Sequence, residues 1–166
     1  MSLALGIDEL LGYTNGERGK WEQWFAAQPP AALDAPLQRD GRFPTVWRLM
    51  DHIFLVERRH TQRLKQESPL AQQTGVADAD VRALVAFGRT AREELTRFIH
   101  ATPDAEMIRK REFHFQDSSD VLTPRKLVFH ILFHEIRHWA QIAAAVRNAG
   151  SVPPGDHDLI YSSAME

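Results

Sequence analysis

Cysteine is absent from the 166 residues. That removes disulfides, thiolate metal ligands and a cysteine nucleophile together. Any bound metal must take nitrogen and oxygen donors, and sulfur chemistry requires a thiol carried in by a substrate. Long apolar runs are also missing, since no stretch approaches the ~20 residues that span a bilayer. The opening segment, MSLALGIDELLGYTNGERGKW, reaches Asp8 and Glu9 early and has no basic lead into a long apolar core. It does not read as a secretory signal, so the expected location is the cytoplasm, with no membrane partner. An excess of positive charge is lacking too. The formal net charge is -2, and basic residues alternate with acidic ones, as in EMIRKRE. No stripe suited to a phosphate backbone results, and nucleic acid is not an expected partner.

What is present is ordinary for a globular chain: 43% hydrophobic and 25% charged residues, enough for one domain over residues 1–166. Hydrophobic spacing predicts four helices. The first runs from about Leu3 to Ala27, with Gly12, Gly16 and Gly19 weakening its middle enough to allow a break. QPPAALDAP ends it. The second begins near Pro44 or Thr45 and continues to about Gln66. The third starts at Asp78 as N-cap and reaches Ala101. The fourth has Thr123 as cap, Pro124 at its first position and Gly150 after its last periodic residue. IRKREFHFQ alternates enough for a short strand or hairpin. Near the C-terminus, Leu159, Ile160 and Tyr161 are expected to cover one end of the helices. No internal repeat appears. The expected fold is all-α, a four-helix bundle, with crossover connections allowed by the longer segments 68–77 and 102–122.

Three of the eight histidines fall in LVFHILFHEIRHWAQI: His130, His134 and His138. At a spacing of four, each is turned about 40° from the last, forming one stripe that rises about 6 Å per step. Two histidines at i and i+4 can aim their ring nitrogens at one point, which is why the spacing recurs in helical metal sites. HEIRH matches HExxH formally, but the helix lies at the end of an all-helical chain, and Glu135 points about 100° away from His134. Glu135 therefore reads as a surface group or as support behind the ligands, not as a base. A third ligand must come from another helix. His52 and His60 are the candidates, about 12 Å apart along the second helix and so unable to share an ion. His60 falls mid-stripe and reads as a packed core histidine. His52 lies at the rim beside Leu49 and Val56, a position that favours it without deciding the matter. The plain alternative is that all of these are polar core residues without metal.

LMDHIFLVERRH on the second helix, followed by TPRKLVFHILFHEIRHWAQIAAAVRNAG on the fourth, resembles the DinB/YfiT-like metalloprotein superfamily. The likeness rests on motifs in those two helices and, elsewhere, on length and helix order. It implies a four-helix bundle, often a homodimer, with a metal on His52, His134 and His138. His130 matches a histidine frequent upstream of the ligand pair and is expected beside the site. Members are associated with nickel or zinc, and some relatives are thiol transferases or isomerases using low-molecular-weight thiols such as bacillithiol or mycothiol. One departure is that the family often reads HRGQ after the last ligand, where this chain has His138-Trp139-Ala140-Gln141. Trp139 removes a cation, and with it a contact to an anionic group.

The expected function is that of a metal-dependent hydrolase or thiol-dependent transferase acting on a small molecule. Three nitrogen ligands leave a position open for water or substrate. Gln141, on the histidine stripe, is the candidate to touch substrate or orient a ligand. Asp51 and Glu57 read as solvated charges. Arg48 and Arg59 flank His52 and read as a solvated face that an anionic substrate would meet. The alternative class is a metal-binding stress or sensor protein, or a dimeric scaffold. Its support is that the fourth helix is apolar on a second side, through Phe129, Leu132, Ile136, Trp139 and Ala143. That side, with Trp21 or Trp24, is the expected homodimer surface.

Overall fold

The computed structural model describes residues 4–37, 42–70 and 74–164. Its helices are α1 (Ile7–Ala27), α2 (Val46–Leu64), α3 (Val81–Ala101), a short α4 (Asp104–Ile108) and α5 (Pro124–Asn148). Strands β1 (Arg111–His114) and β2 (Ser119–Leu122) lie between α4 and α5. They pair antiparallel, with Arg111 opposite Leu122 and His114 opposite Ser119. The hairpin was expected from the alternation of its residues, and α4 was not. Among the described residues no helix is long and apolar enough to cross a membrane.

The helix ends follow local chemistry. Asp80, rather than Asp78, caps α3: its Oδ1 accepts from Ala83 N at 3.0 Å. Thr123 Oγ1 accepts from Lys126 N at 3.1 Å and starts α5. At the far end Ser151 N donates to Val146 O (2.9 Å) and Gly150 N to Arg147 O (3.0 Å), with Gly150 at φ 84°. This is the Schellman closure, and it needs a residue comfortable in the left-handed region.

Backbone contacts divide the chain into two compact units, Met1–Met50 with Leu132–Glu166, and Asp51–Ile131. Helices α2 and α5 run unbroken through both divisions.

In the first unit α1 is continuous through all three glycines. Gly16 and Gly19 have no packing neighbour that a Cβ would meet, so their cost is one of propensity alone. The anchors Leu11, Thr14, Arg18, Trp21 and Phe25 are buried at alternating spacings of three and four, and tertiary packing outweighs weak propensity. Trp21 is completely buried, stacked on Trp139 with ring centroids 5.5 Å apart and planes at 14°. Leu132, Trp139 and Ala143 are buried as well. Three residues of the side expected to meet a second copy are thus buried within the chain, Trp139 against Trp21 of α1. The C-terminal segment docks through other residues than expected. Leu159, Ile160 and Tyr161 are exposed, whereas His157 stacks on Trp21 and its Nδ1 meets Glu17 Oε2 at 2.5 Å.

In the second unit the α2–α3 packing is close. Gly88 sits against the Phe54 ring, which a Cβ at that position would approach to 2.8 Å. Glu57, expected to be solvated, is 1% exposed and accepts from Arg92 Nε at 2.7 Å. Asp51, also expected to be solvated, is half-buried and accepts a hydrogen bond from Thr74 Oγ1 at 2.5 Å. Buried charges persist only with such partners.

Candidate metal centre

Helix α2 carries His52 and α5 carries His134 and His138, one turn apart. Among the described residues these three form one metal-capable group: each offers a ring nitrogen, and all three nitrogens lie within 4.8 Å of one another. His134 and His138 are buried and His52 is half-buried. The two α5 nitrogens, both Nε2, are 3.0 Å apart. Two nitrogen ligands on a tetrahedral ion with bonds of ~2.05 Å sit about 3.3 Å apart, so the donor set fits a divalent cation.

The state of the rings fits as well. Gln141 Oε1 lies 2.5 Å from His138 Nδ1. An amide oxygen can only accept, so Nδ1 carries the proton and Nε2 presents its lone pair towards His134. Burial holds the His138 imidazole below its ordinary pKa, and the Arg137 and Arg42 charges push the same way against the Gln141 bond. A neutral ring with its lone pair oriented by a hydrogen bond on the opposite nitrogen is what a metal ligand requires.

Glu135 takes no part in this convergence. It is 1% exposed, and its carboxylate accepts from Arg18 Nε (2.8 Å), Arg18 NH2 (2.9 Å) and Trp139 Nε1 (2.9 Å). The reading of Glu135 as a surface group is overturned: it is a buried anion tied to α1. Trp139 belongs to the same cluster and lines a different cavity from His138. Position 139 therefore carries no cation and faces away from the hollow beside the metal-capable group.

His130 and His60 form a separate pair, their rings 5.5 Å apart and edge-on. His60 also meets the Phe115 ring, and Arg63 NH1 donates to its Nδ1 at 3.4 Å. Burial, first, and then the charges of Arg63, His130, Arg59 and His52 lower its pKa from 6.5 to about 3. In the unfolded chain His60 takes a proton near pH 6.5 and in the fold it does not. Its contribution is therefore complete above pH 6.5 and is lost as the pH falls towards 3. Between pH 7.5 and 4.5, wild type should lose roughly 2–3 kcal/mol more stability than His60→Phe. Urea unfolding at both pH values in the presence of a chelator measures this, and parallel losses in the two proteins would refute it.

Residues that the helical pattern did not reveal also border the group. Pro36 bridges Thr45 in antiparallel fashion, and Val46 N and Trp47 N donate to Ala35 O (3.0 Å) and Leu33 O (2.9 Å). These contacts fix the start of α2, and just before it Arg42 and Phe43 stand beside His138, the Phe43 and His138 rings being 6.2 Å apart and edge-on. Arg42 lies in a proline- and glycine-flanked stretch with no periodicity, so only the fold could show where it points. Arg48 is exposed and Arg59 half-buried; neither lines the hollow that contains His138.

Comparison with known proteins supports the architecture. YfiT from Bacillus subtilis, described as a probable metal-dependent hydrolase with an unusual four-helix bundle topology, superposes with a TM-score of 0.70 at 17% identity. The match covers 90% of this chain and 93% of that one. A DinB-like protein of Bacillus subtilis, YjoA, matches with a TM-score of 0.59 at 16% identity, covering 92% of this chain and 96% of its own. None of the curated proteins matches the chain significantly. The fold is thus an all-α four-helix bundle of the YfiT kind, as expected. Since the DinB family model matches residues 1–165, the chain belongs to the DinB family.

Proposed function

We propose that His52, His134 and His138 hold one divalent metal ion, nickel or zinc, and that the protein is a metal-dependent hydrolase or thiol-dependent transferase acting on a small molecule. The observation that carries this is the convergence of three ring nitrogens within 4.8 Å. The description of YfiT as a probable metal-dependent hydrolase supports it. An ion so held supplies Lewis acidity, which favours a deprotonated nucleophile near neutral pH and polarises a carbonyl.

The chain's own residues have distinct tasks in this proposal. His138 stays neutral through burial, and Gln141 fixes its tautomer and ring plane. Glu135 holds α5 to α1 and abstracts no proton, because Arg18 and Trp139 already occupy both of its oxygens. With no cysteine in the protein, a thiol nucleophile has to arrive as a cosubstrate.

The test is turnover. Zinc- and nickel-loaded protein, made without a His tag, is incubated with small esters, amides and epoxides, with and without a low-molecular-weight thiol. The expected result is turnover that a chelator abolishes and that His134→Ala lacks. Stoichiometric metal binding with no turnover across the panel would refute the catalytic reading and favour a sensor or scaffold instead.

A further inference from the structure

A hollow of about 400 Å³ opens beside His138, a size suited to a small molecule. Its walls divide by chemistry. Leu37, Phe43, Leu49, Ala144 and Ala145 are apolar. Arg42, Gln141, Asn148 and His138 are polar, and among the described residues no carboxylate lines it. Among the described residues Arg42 is the one permanently charged side chain in the lining. Its guanidinium lies over the Phe43 ring, 5.3 Å from the centroid, which holds the charge at the wall. Because the Gln141 carbonyl faces His138 Nδ1, what this amide offers the hollow is its NH2 donor. The last turn of α5, which ends at Asn148, would oppose an anion through its dipole. The Schellman closure, with Ser151 N on Val146 O and Gly150 N on Arg147 O, already occupies carbonyls at that end.

We propose that this hollow binds a small organic acid with an apolar body, and that Arg42 selects it by pairing with the carboxylate. The proposal rests on the metal-dependent reading above, in that it names the substrate class of that same site. Arg42 is a specificity residue here. It touches the ligand at the end remote from any reacting bond, and the apolar wall receives the hydrocarbon part.

The probe is hexanoate, compared with 1-hexanol and hexylamine, titrated into 15N-labelled protein in zinc-free and zinc-loaded form. Hexanoate is expected to shift the amides of Arg42, Phe43, Gln141 and Ala144 in the zinc-free protein. Arg42→Gln should weaken it about tenfold, and Arg42→Lys, which keeps the charge, about threefold. 1-Hexanol and hexylamine should bind at least about tenfold more weakly than hexanoate. The proposal is overturned if Arg42→Gln binds hexanoate as wild type does, if the alcohol or amine competes equally, or if no hexanoate shift appears. Calorimetric zinc titration of the same samples separates the two readings. Arg42-dependent hexanoate binding without zinc uptake sinks the metal reading alone, and zinc uptake without hexanoate binding sinks this one alone.

Discussion

Replacing His134 with alanine is expected to reduce zinc or nickel uptake from about one ion per chain to a level not measurable at micromolar protein, a loss beyond about hundredfold. The reasoning starts from donor count. His134 Nε2 lies 3.0 Å from His138 Nε2, and both belong to the group whose nitrogens converge with that of His52. Two imidazoles remaining in a partly buried place bind a divalent ion weakly. His52→Ala and His138→Ala should behave alike. Gln141→Ala should cost less, about 10–100-fold, because it removes the group that orients a ligand and leaves the ligand itself. His60→Ala and His130→Ala should leave uptake unchanged, since those rings pair with each other and lie outside the converging group. Calorimetric titration with zinc, checked by elemental analysis of dialysed protein, reads all six variants. Uptake by His134→Ala equal to wild type would end the proposal, and so would an equal loss in His130→Ala.

Loss of the Glu135 carboxylate should be the costliest change to stability, about 3–5 kcal/mol for Glu135→Leu. Arg18 is 4% exposed, and Glu135 accepts two of its N–H groups as well as the Trp139 indole. Leucine leaves the guanidinium buried without its counter-charge, which is the expensive half of breaking such a pair. For a chain of this size the midpoint of thermal unfolding should fall by roughly 10 °C or more. The paired replacement Arg18→Met with Glu135→Leu should recover most of the loss, because it removes both desolvated charges and keeps apolar volume. Glu135→Gln keeps the shape and separates structure from chemistry: it should lower stability while zinc uptake stays near wild type. Unchanged stability in Glu135→Leu would show that the pair does not hold α1 to α5.

Much of the architecture was legible because it is written locally. The four long helices, the Thr123 cap with Pro124, the Gly150 stop and the 111–122 hairpin each depend on residues within a few positions of one another. So does the orientation of His134 and His138, since a spacing of four places two rings on one face by helix geometry alone. His52 could be favoured over His60 but not chosen by spacing, since only packing decides which turn of α2 meets α5. The family resemblance pointed to the same histidine.

The charged residues were where local reasoning failed. Glu57 and Asp51 read as solvated charges because a carboxylate has no reason to be buried without a partner, and Glu135, turned away from His134, read as a surface group or as support behind the ligands. The partners lie far along the chain: Arg92 is 35 residues from Glu57, Thr74 is 23 from Asp51, and Arg18 is 117 from Glu135. The same distance in sequence hid the use of the second apolar side of α5. Its pattern announced a helix buried on two sides, yet a second copy of the chain and α1 of the same chain would leave an identical trace. By itself, then, the amino-acid order determined the helices, their ends and the two imidazoles aimed together from α5, because backbone geometry and periodicity act over one or two turns. Tertiary structure alone decided which charges are buried in pairs, which face α1 covers and how Arg42 comes to stand beside His138. Those outcomes depend on contacts between segments that no repeat in the sequence connects.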